Sequence, residues 1–234
     1  MQFTQFFSVD QYFDATTQQQ NHFQVLLIFK NFLAMLAGDS SLETVGELTE
    51  GLLEMPAYDL AAQHLKRDAA CAALIGDRYI PPAYDLDKLL TYPQNSLGYQ
   101  FAATMRNKGF DPNLHKDMTA ETDARYVELR LSQTHDIWHV VTGFDTSVIG
   151  EIGLQALHLP QFPYPLGTML LANSLMSSTL LTPEYLPLLL EAIAQGFQMG
   201  KAAKPLFAQK WEEGWRKPLT QWRQELNVVP VSAP

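Results

Sequence analysis

The stretch Arg130-Leu131-Ser132-Gln133-Thr134-His135-Asp136-Ile137-Trp138-His139-Val140-Val141-Thr142-Gly143-Phe144-Asp145-Thr146-Ser147-Val148-Ile149-Gly150-Glu151 joins two helical patterns across a turn. Residues 121–142 read as one continuous helix, with Tyr126, Leu129, Ile137, Val140 and Val141 at its apolar positions. Gly143 suits the positive φ of a helix C-terminal cap, and Asp145 or Thr146 is placed to cap the helix that follows. The expected product is a helix–turn–helix hairpin with antiparallel packing.

Chemistry is concentrated in that hairpin, as His135-Asp136-x-x-His139-x11-Glu151. Histidines four apart share one helical face. At about 1.5 Å per residue, His139 and Glu151 both lie roughly 5–8 Å from the turn, so Glu151 is expected to face both histidines. Asp136 stands about 100° around the helix from His135 and about 60° from His139, which leaves it a fourth ligand, an outer partner or a base. Imidazole nitrogen and carboxylate oxygen are the usual ligands of catalytic zinc, and two histidines with one carboxylate also suit open-sided iron(II). The candidate metal ligands are therefore His135, Asp136, His139 and Glu151. The ion is divalent, zinc first, with iron or magnesium as alternatives. The competing account is a satisfied polar network. His22, His64, His115 and His158 read as surface or core residues, and no catalytic residue is assigned.

Outward from the hairpin, helical patterns dominate, over about 18–37, 42–54, 57–75, 95–108, 120–142, 146–158, 166–180, 183–204 and 206–225. Ser40-Ser41-Leu42-Glu43 and Thr44-Val45-Gly46-Glu47 both fit a capping box, and Thr182-Pro183 fits an N-cap followed by proline. No sustained alternating run points to a sheet. The expected fold is all-α: a single-domain helical bundle of eight or nine helices over 1–234, with its metal site in the hairpin. Residues 1–17 are expected to form a peripheral N-terminal segment and 227–234 a C-terminal tail.

A formal net charge of −9 over 234 residues argues against nucleic acid and against general adhesion to anionic lipid. Cys71 is the single cysteine, which excludes an internal disulfide and a cysteine zinc cluster and fits a reducing compartment. No Lys or Arg precedes Lys30, against both a secretory n-region and an Arg-rich transit peptide. Phe23 to Ala37 is apolar, but too short to span a bilayer, and reads as a buried helix. The expectation is a cytoplasmic protein, soluble or peripheral on a membrane.

Two regions are unusual. From Ile152 to Gly200 the only formal charges are Glu184 and Glu191. Helices apolar nearly all round must be buried, face a partner or line an apolar cavity. Two accounts stay open: core plus a homodimer interface, or a lipid channel beside the metal site. The channel account places Met169, Ala172, Met176 and Ser177 against a tail, because methionine adapts to irregular apolar space and small residues leave room between helices. Arg106 and Arg130 are then candidates for the polar end, although Arg130 has a salt bridge as its competing role. Near the C-terminus, Trp211, Trp215 and Trp222 fall within twelve residues of a basic stretch, which suits either a lid over the core or a membrane-interface helix.

Residues 130–139, continuing through Gly143 to Gly150-Glu151, resemble the coenzyme Q (ubiquinone) biosynthesis protein 4 family, whose His-Asp-x-x-His-x11-Glu zinc motif is matched at all four positions. Leu89-Leu90-Thr91-Tyr92-Pro93-Gln94-Asn95-Ser96-Leu97-Gly98 resembles a second family region. Trp211-Glu212, Lys217-Pro218-Leu219, Arg223 and Leu226 resemble its C-terminal signature. The resemblance spans roughly residues 40–228. It implies an all-α protein, peripheral on the inner face of a membrane, that works with other quinone-biosynthesis proteins. It also implies a long-chain isoprenoid or prenylated quinone precursor as ligand, and replacement of the ring carboxyl at C1 by a hydroxyl. The chain departs from the family beside the metal, with Leu131-Ser132-Gln133-Thr134 before the motif and Gln155-Ala156-Leu157-His158 after it, as in a divergent bacterial member. Three functions compete: a metal-dependent enzyme of prenyl-quinone metabolism, a non-catalytic lipid-presenting scaffold, and a zinc metallohydrolase with Asp136 as its base.

Overall fold

Among the described residues, 15–115 and 118–231 of a computed structural model, every regular element is helical. The helices are α1 (Ala15–Leu36), α2 (Leu42–Leu53), α3 (Pro56–Leu65), α4 (Ala69–Asp77), α5 (Leu86–Leu89), α6 (Leu97–Lys108), α7 (Asp123–Thr142), α8 (Val148–His158), α9 (Pro165–Leu181), α10 (Leu186–Ala202) and α11 (Leu219–Leu226). The expected N-terminal segment 1–17 lies mostly outside the described residues, and α1 already begins at Ala15.

Local chemistry sets most boundaries. Thr122 caps α7 by accepting from the Arg125 amide, and Gly143 ends it at φ 82°. The expected single helix over 57–75 is instead two, because the Asp68 carboxylate accepts from the amides of Ala70 and Cys71 and starts α4 afresh. Ser41 alone caps α2, and the Thr44 hydroxyl turns back to Asp39. Ser147, rather than Asp145 or Thr146, caps α8, while Asp145 braces the turn by accepting from the Ser147 amide and hydroxyl. The expected helix 206–225 survives only as α11 after Pro218. Before it the chain makes a single 3-10 turn over Trp211–Gly214.

α7 is the central helix. Tyr126, Val127, Ile137, Trp138 and Val141 are buried, and α3, α4, α6 and α11 pack around it. The expected α7–α8 hairpin holds at its mouth but not along its length, because α8 packs chiefly on α10 and then on α9. Glycine decides that partner: a Cβ at Gly196 would collide with the Gly153 carbonyl, so α10 approaches α8 backbone to backbone.

The C-terminal segment is docked against α7 as far as Val231. Arg223 donates to the carbonyls of Val141 (2.8 Å) and Val140 (3.0 Å), and the Val231 amide donates to Thr142 (2.9 Å). These bonds satisfy carbonyls that the end of α7 would otherwise leave unpaired. A Cβ at Gly143 would stand 2.7 Å from the Val231 carbonyl oxygen, so glycine is required there for close approach as well as for its φ. Trp211 and Trp222 are buried together, and Trp215 stacks on Phe101 at 5.2 Å, which is the lid arrangement.

Two expectations are corrected by exposure. α1 is not a buried helix: Ile28 and Phe32 face the core, but Phe23, Leu26, Phe29 and Leu33 face outward. The α9 positions proposed to line a channel lie on an open face, with Ala172 and Met176 exposed and Met169 and Ser177 half-buried. α8 takes the interior position, which leaves the outer sides of α9 and α10 uncovered, including Leu180, Leu181, Leu188 and Phe197. Among the described residues, no helix is long and apolar enough to cross a membrane.

Candidate metal centre

α7 delivers two imidazoles and the first turn of α8 delivers one carboxylate to a single point. His135 Nε2 lies 3.1 Å from Glu151 Oε2 and 3.1 Å from His139 Nε2, while His139 Nε2 lies 3.2 Å from Glu151 Oε1. The two rings stand edge to face, 88° apart. A metal about 2.1 Å from each ligand would separate neighbouring ligand atoms by about 3.0–3.4 Å in octahedral or tetrahedral geometry; the two imidazole nitrogens meet that spacing, and the carboxylate reaches them through its two separate oxygens. The donor set fits zinc or a comparable divalent ion.

The His139 ring is oriented from behind. Its Nδ1 donates to the Phe144 carbonyl at 2.9 Å, which leaves Nε2 as the free lone pair facing the other two residues. His139 is 5% exposed, whereas His135 and Glu151 are 33% and 35% exposed at the side chain. The cluster therefore has a closed back and an open front, as a site that admits a ligand requires. Burial pushes the Glu151 carboxyl up, but the hydrogen bonds and charges of His135 and His139 outweigh it and hold the group down at about 2. For His135, burial opposes the charged form and the Glu151 carboxylate overcomes it, so its pKa is raised. These opposed shifts describe a coupled imidazole–carboxylate pair, whose positive member a divalent ion would replace.

The sequence candidates separate clearly. His135, His139 and Glu151 come together, with ligand atoms all within 4.8 Å of one another. Asp136 is half-buried and outside that cluster, because its position on α7 turns it away from Glu151, towards the side of His115. Arg130 is not a free anion receptor: it donates to Glu212 Oε1 and Oε2 at 2.8 and 3.0 Å and to the Gln209 carbonyl at 2.8 Å, with both charged side chains 1% exposed. Arg106 is committed to an exposed pair with Asp87. His158 is a core residue, stacked on Trp138 at 4.6 Å and pushed down to about 3 by burial and by the charge of His135.

Two buried features were missed. The Glu128 carboxylate accepts from the hydroxyls of Tyr58 (2.7 Å) and Tyr164 (3.1 Å). Tyr84 donates to Glu212 at 2.6 Å and completes the Arg130 network. The spacing Glu128–Ser132–His135–His139 carried a signal for the first, since all four share one face of α7. The partners Tyr58, Tyr164 and Glu212 are far away in the chain and left none.

Fold and site together define an all-α protein with an open centre of two histidines and one carboxylate. A sequence profile described as "Coenzyme Q (ubiquinone) biosynthesis protein Coq4" matches residues 16–232, and the chain belongs to that family. It is 32% identical over 154 residues to the mitochondrial ubiquinone biosynthesis protein COQ4 of Eremothecium gossypii, covering 63% of this chain and 46% of that protein. A COQ4 homolog of Aedes aegypti is 27% identical, over 62% of this chain and 53% of that one. The match thus spans about half the length of these relatives. A crystal structure of a provisionally assigned ubiquinone biosynthesis protein from Nostoc punctiforme PCC 73102 superposes with a TM-score of 0.79 at 30% identity, over 87% of this chain and 95% of that one.

Proposed function

We propose that the chain serves ubiquinone-type quinone biosynthesis by holding a prenylated aromatic precursor, with its head group at a divalent metal bound by His135, His139 and Glu151. The observation that carries the reading is a pair of imidazole nitrogens 3.1 Å apart, each 3.1–3.2 Å from one of the two Glu151 oxygens and open on one side. His135 and His139 present neutral nitrogens, Glu151 supplies one negative charge, and Phe144 keeps His139 in the ligating tautomer. When held by these three residues, a divalent ion would supply a positive charge for a carboxylate or phenolate oxygen of the ring. The proposed conversion, ArCOOH + H2O → ArOH + CO2 + 2H+ + 2e−, breaks the C1–carboxyl bond and forms a C1–oxygen bond. It releases two electrons to an external two-electron acceptor, since zinc has no redox chemistry.

The uncovered outer faces of α1, α9 and α10 support a second reading, a scaffold that presents the isoprenoid to other quinone-biosynthesis enzymes while seated on a membrane or paired as a homodimer. The hydrolase reading loses support, because it needs Asp136 beside the ion and Asp136 stands outside the cluster. Elemental analysis with native mass spectrometry is expected to find about one divalent ion per chain in the wild type and none in His135→Ala/His139→Ala. Full occupancy in that double variant would refute the metal reading. Ala172→Trp with Ser177→Trp separates the roles of the α9 face: loss of co-purifying lipid with the oligomer intact supports tail binding, and monomerisation with lipid retained makes the face a subunit contact.

A further inference from the structure

About two turns along α7 from His135 lies the buried Glu128 carboxyl, to which no cationic side chain among the described residues is hydrogen-bonded. Glu128 is 9% exposed, and the described partners of its carboxylate are three hydroxyls: Tyr58 at 2.7 Å, Tyr164 at 3.1 Å and Ser132 at 3.4 Å. Hydroxyl donors and the charge of His135 favour the ionised carboxylate, but burial outweighs them and raises its pKa, so the anion is costly to the fold unless a stronger counter-charge is present. A neutral glutamine would give up far less solvation at that place, so the carboxylate calls for a positive charge nearby.

The positive charge that acts on Glu128 is that of the triad, through His135. Glu128, Ser132, His135 and His139 lie at i, i+4, i+7 and i+11 on one face of α7, so Glu128 is about 10 Å along the helix from His135. Two neutral imidazoles and one Glu151 carboxylate leave a divalent ion with one uncompensated positive charge. Asp136 is also close, but it is half-buried and belongs to a wetter, better-screened position. We propose that Glu128 is the counter-charge of the metal centre: a carboxylate that does not ligate the ion, held in the low-dielectric core by Tyr58 and Tyr164, that raises the affinity of the triad for divalent cations. The inference rests on the metal reading of His135, His139 and Glu151.

The test is a titration of the full-length, chelator-stripped protein with Co2+, followed by its visible absorption and by calorimetry. An interaction between one charge and a divalent ion across about 10 Å of partly screened protein predicts that Glu128→Gln weakens Co2+ binding about tenfold, with the helical circular dichroism unchanged. Asp136→Asn is expected to weaken it less. Tyr58→Phe and Tyr164→Phe keep the carboxylate but remove a donor that holds it ionised, and each is expected to weaken binding severalfold. They also carry the test should Glu128→Gln fail to fold. A wild type that binds Co2+ while a folded Glu128→Gln binds equally well overturns the counter-charge alone, as do unchanged affinities in both tyrosine variants. A wild type that binds no Co2+ overturns the metal reading and this inference with it.

Discussion

Glu212→Ala strands a guanidinium in the core. Arg130 and Glu212 are each 1% exposed at the side chain, joined by two parallel hydrogen bonds of 2.8 and 3.0 Å, and the Tyr84 hydroxyl donates to the same carboxylate. Removing one partner of a buried pair typically costs about 3–5 kcal/mol, because the other charge stays desolvated. The orphaned Tyr84 hydroxyl adds about 1 kcal/mol. With a urea m-value of about 2–3 kcal/mol/M, the unfolding midpoint is expected to fall by about 1.3–3 M. The apolar double variant Arg130→Met/Glu212→Leu removes both charges together and is expected to recover most of that loss. Equilibrium urea denaturation followed by tryptophan fluorescence measures both, since Trp211 adjoins Glu212. A midpoint for Glu212→Ala within about 0.3 M of wild type would refute the reasoning, as would a double variant no better than the single one. The result also bears on ligand binding: Arg130→Ala is expected to lose stability, as a structural strut does, rather than lose ligand affinity alone.

Gly196→Val forces a side chain into the Gly153 carbonyl and is expected to separate α10 from α8, lowering the thermal midpoint by many degrees, whereas Gly46→Ala, with open space around it, should leave it unchanged or higher. Cys71 is 1% exposed and burial, with the nearby Asp68 carboxylate, pushes its thiol up to about 12, so a thiol reagent at pH 8 should label it only as fast as the protein opens. In metal-free protein, the stability gap between wild type and Glu151→Gln should be largest near pH 5, above the unfolded carboxyl value of about 4.3, and should shrink as the pH rises through the raised pKa of its partner His135. It should fade as the pH falls towards the folded-state value of about 2, as followed by urea titrations across that range.

The helical class was legible because it depends on local signals: the caps of α7, Gly143, and the apolar spacing of 121–142 are within one segment. The His135–His139–Glu151 cluster was legible for the same reason, since all three ligands lie within one helix–turn–helix and the residue count fixes their heights. What was not legible depends on partners distant in sequence. Arg130 offers a guanidinium whose use is decided by Glu212, 82 positions further along the chain, and nothing between the two reveals the pair. The length of 57–75 concealed a break because Asp68 is neutral evidence until its side chain is seen to cap α4. The charge-poor stretch 152–200 suggested burial on all sides, but low charge states only that a surface is apolar, and the Gly153–Gly196 contact settled which helix went inside.

The same distant contacts explain how an open centre is held rigid. His135 and Glu151 are a third exposed and could wander, yet each stands on backbone fixed from outside the hairpin. Arg223 and Val231 occupy the carbonyls of Val140, Val141 and Thr142, so the α7 end that carries His139 is closed by a segment over eighty residues away. Gly196 locks α8, and with it Glu151, to α10. Preorganisation here costs no solvent access, because the bracing comes from behind and from the helix ends while the front stays free. It follows that Arg223→Ala should loosen α7 where His139 sits without touching any ligand atom. Amide hydrogen exchange over residues 139–144 is expected to speed up while exchange near the α7 N-terminus stays at wild-type rates. Uniform acceleration along the whole helix would mean that Arg223 supports global stability rather than the geometry of the site.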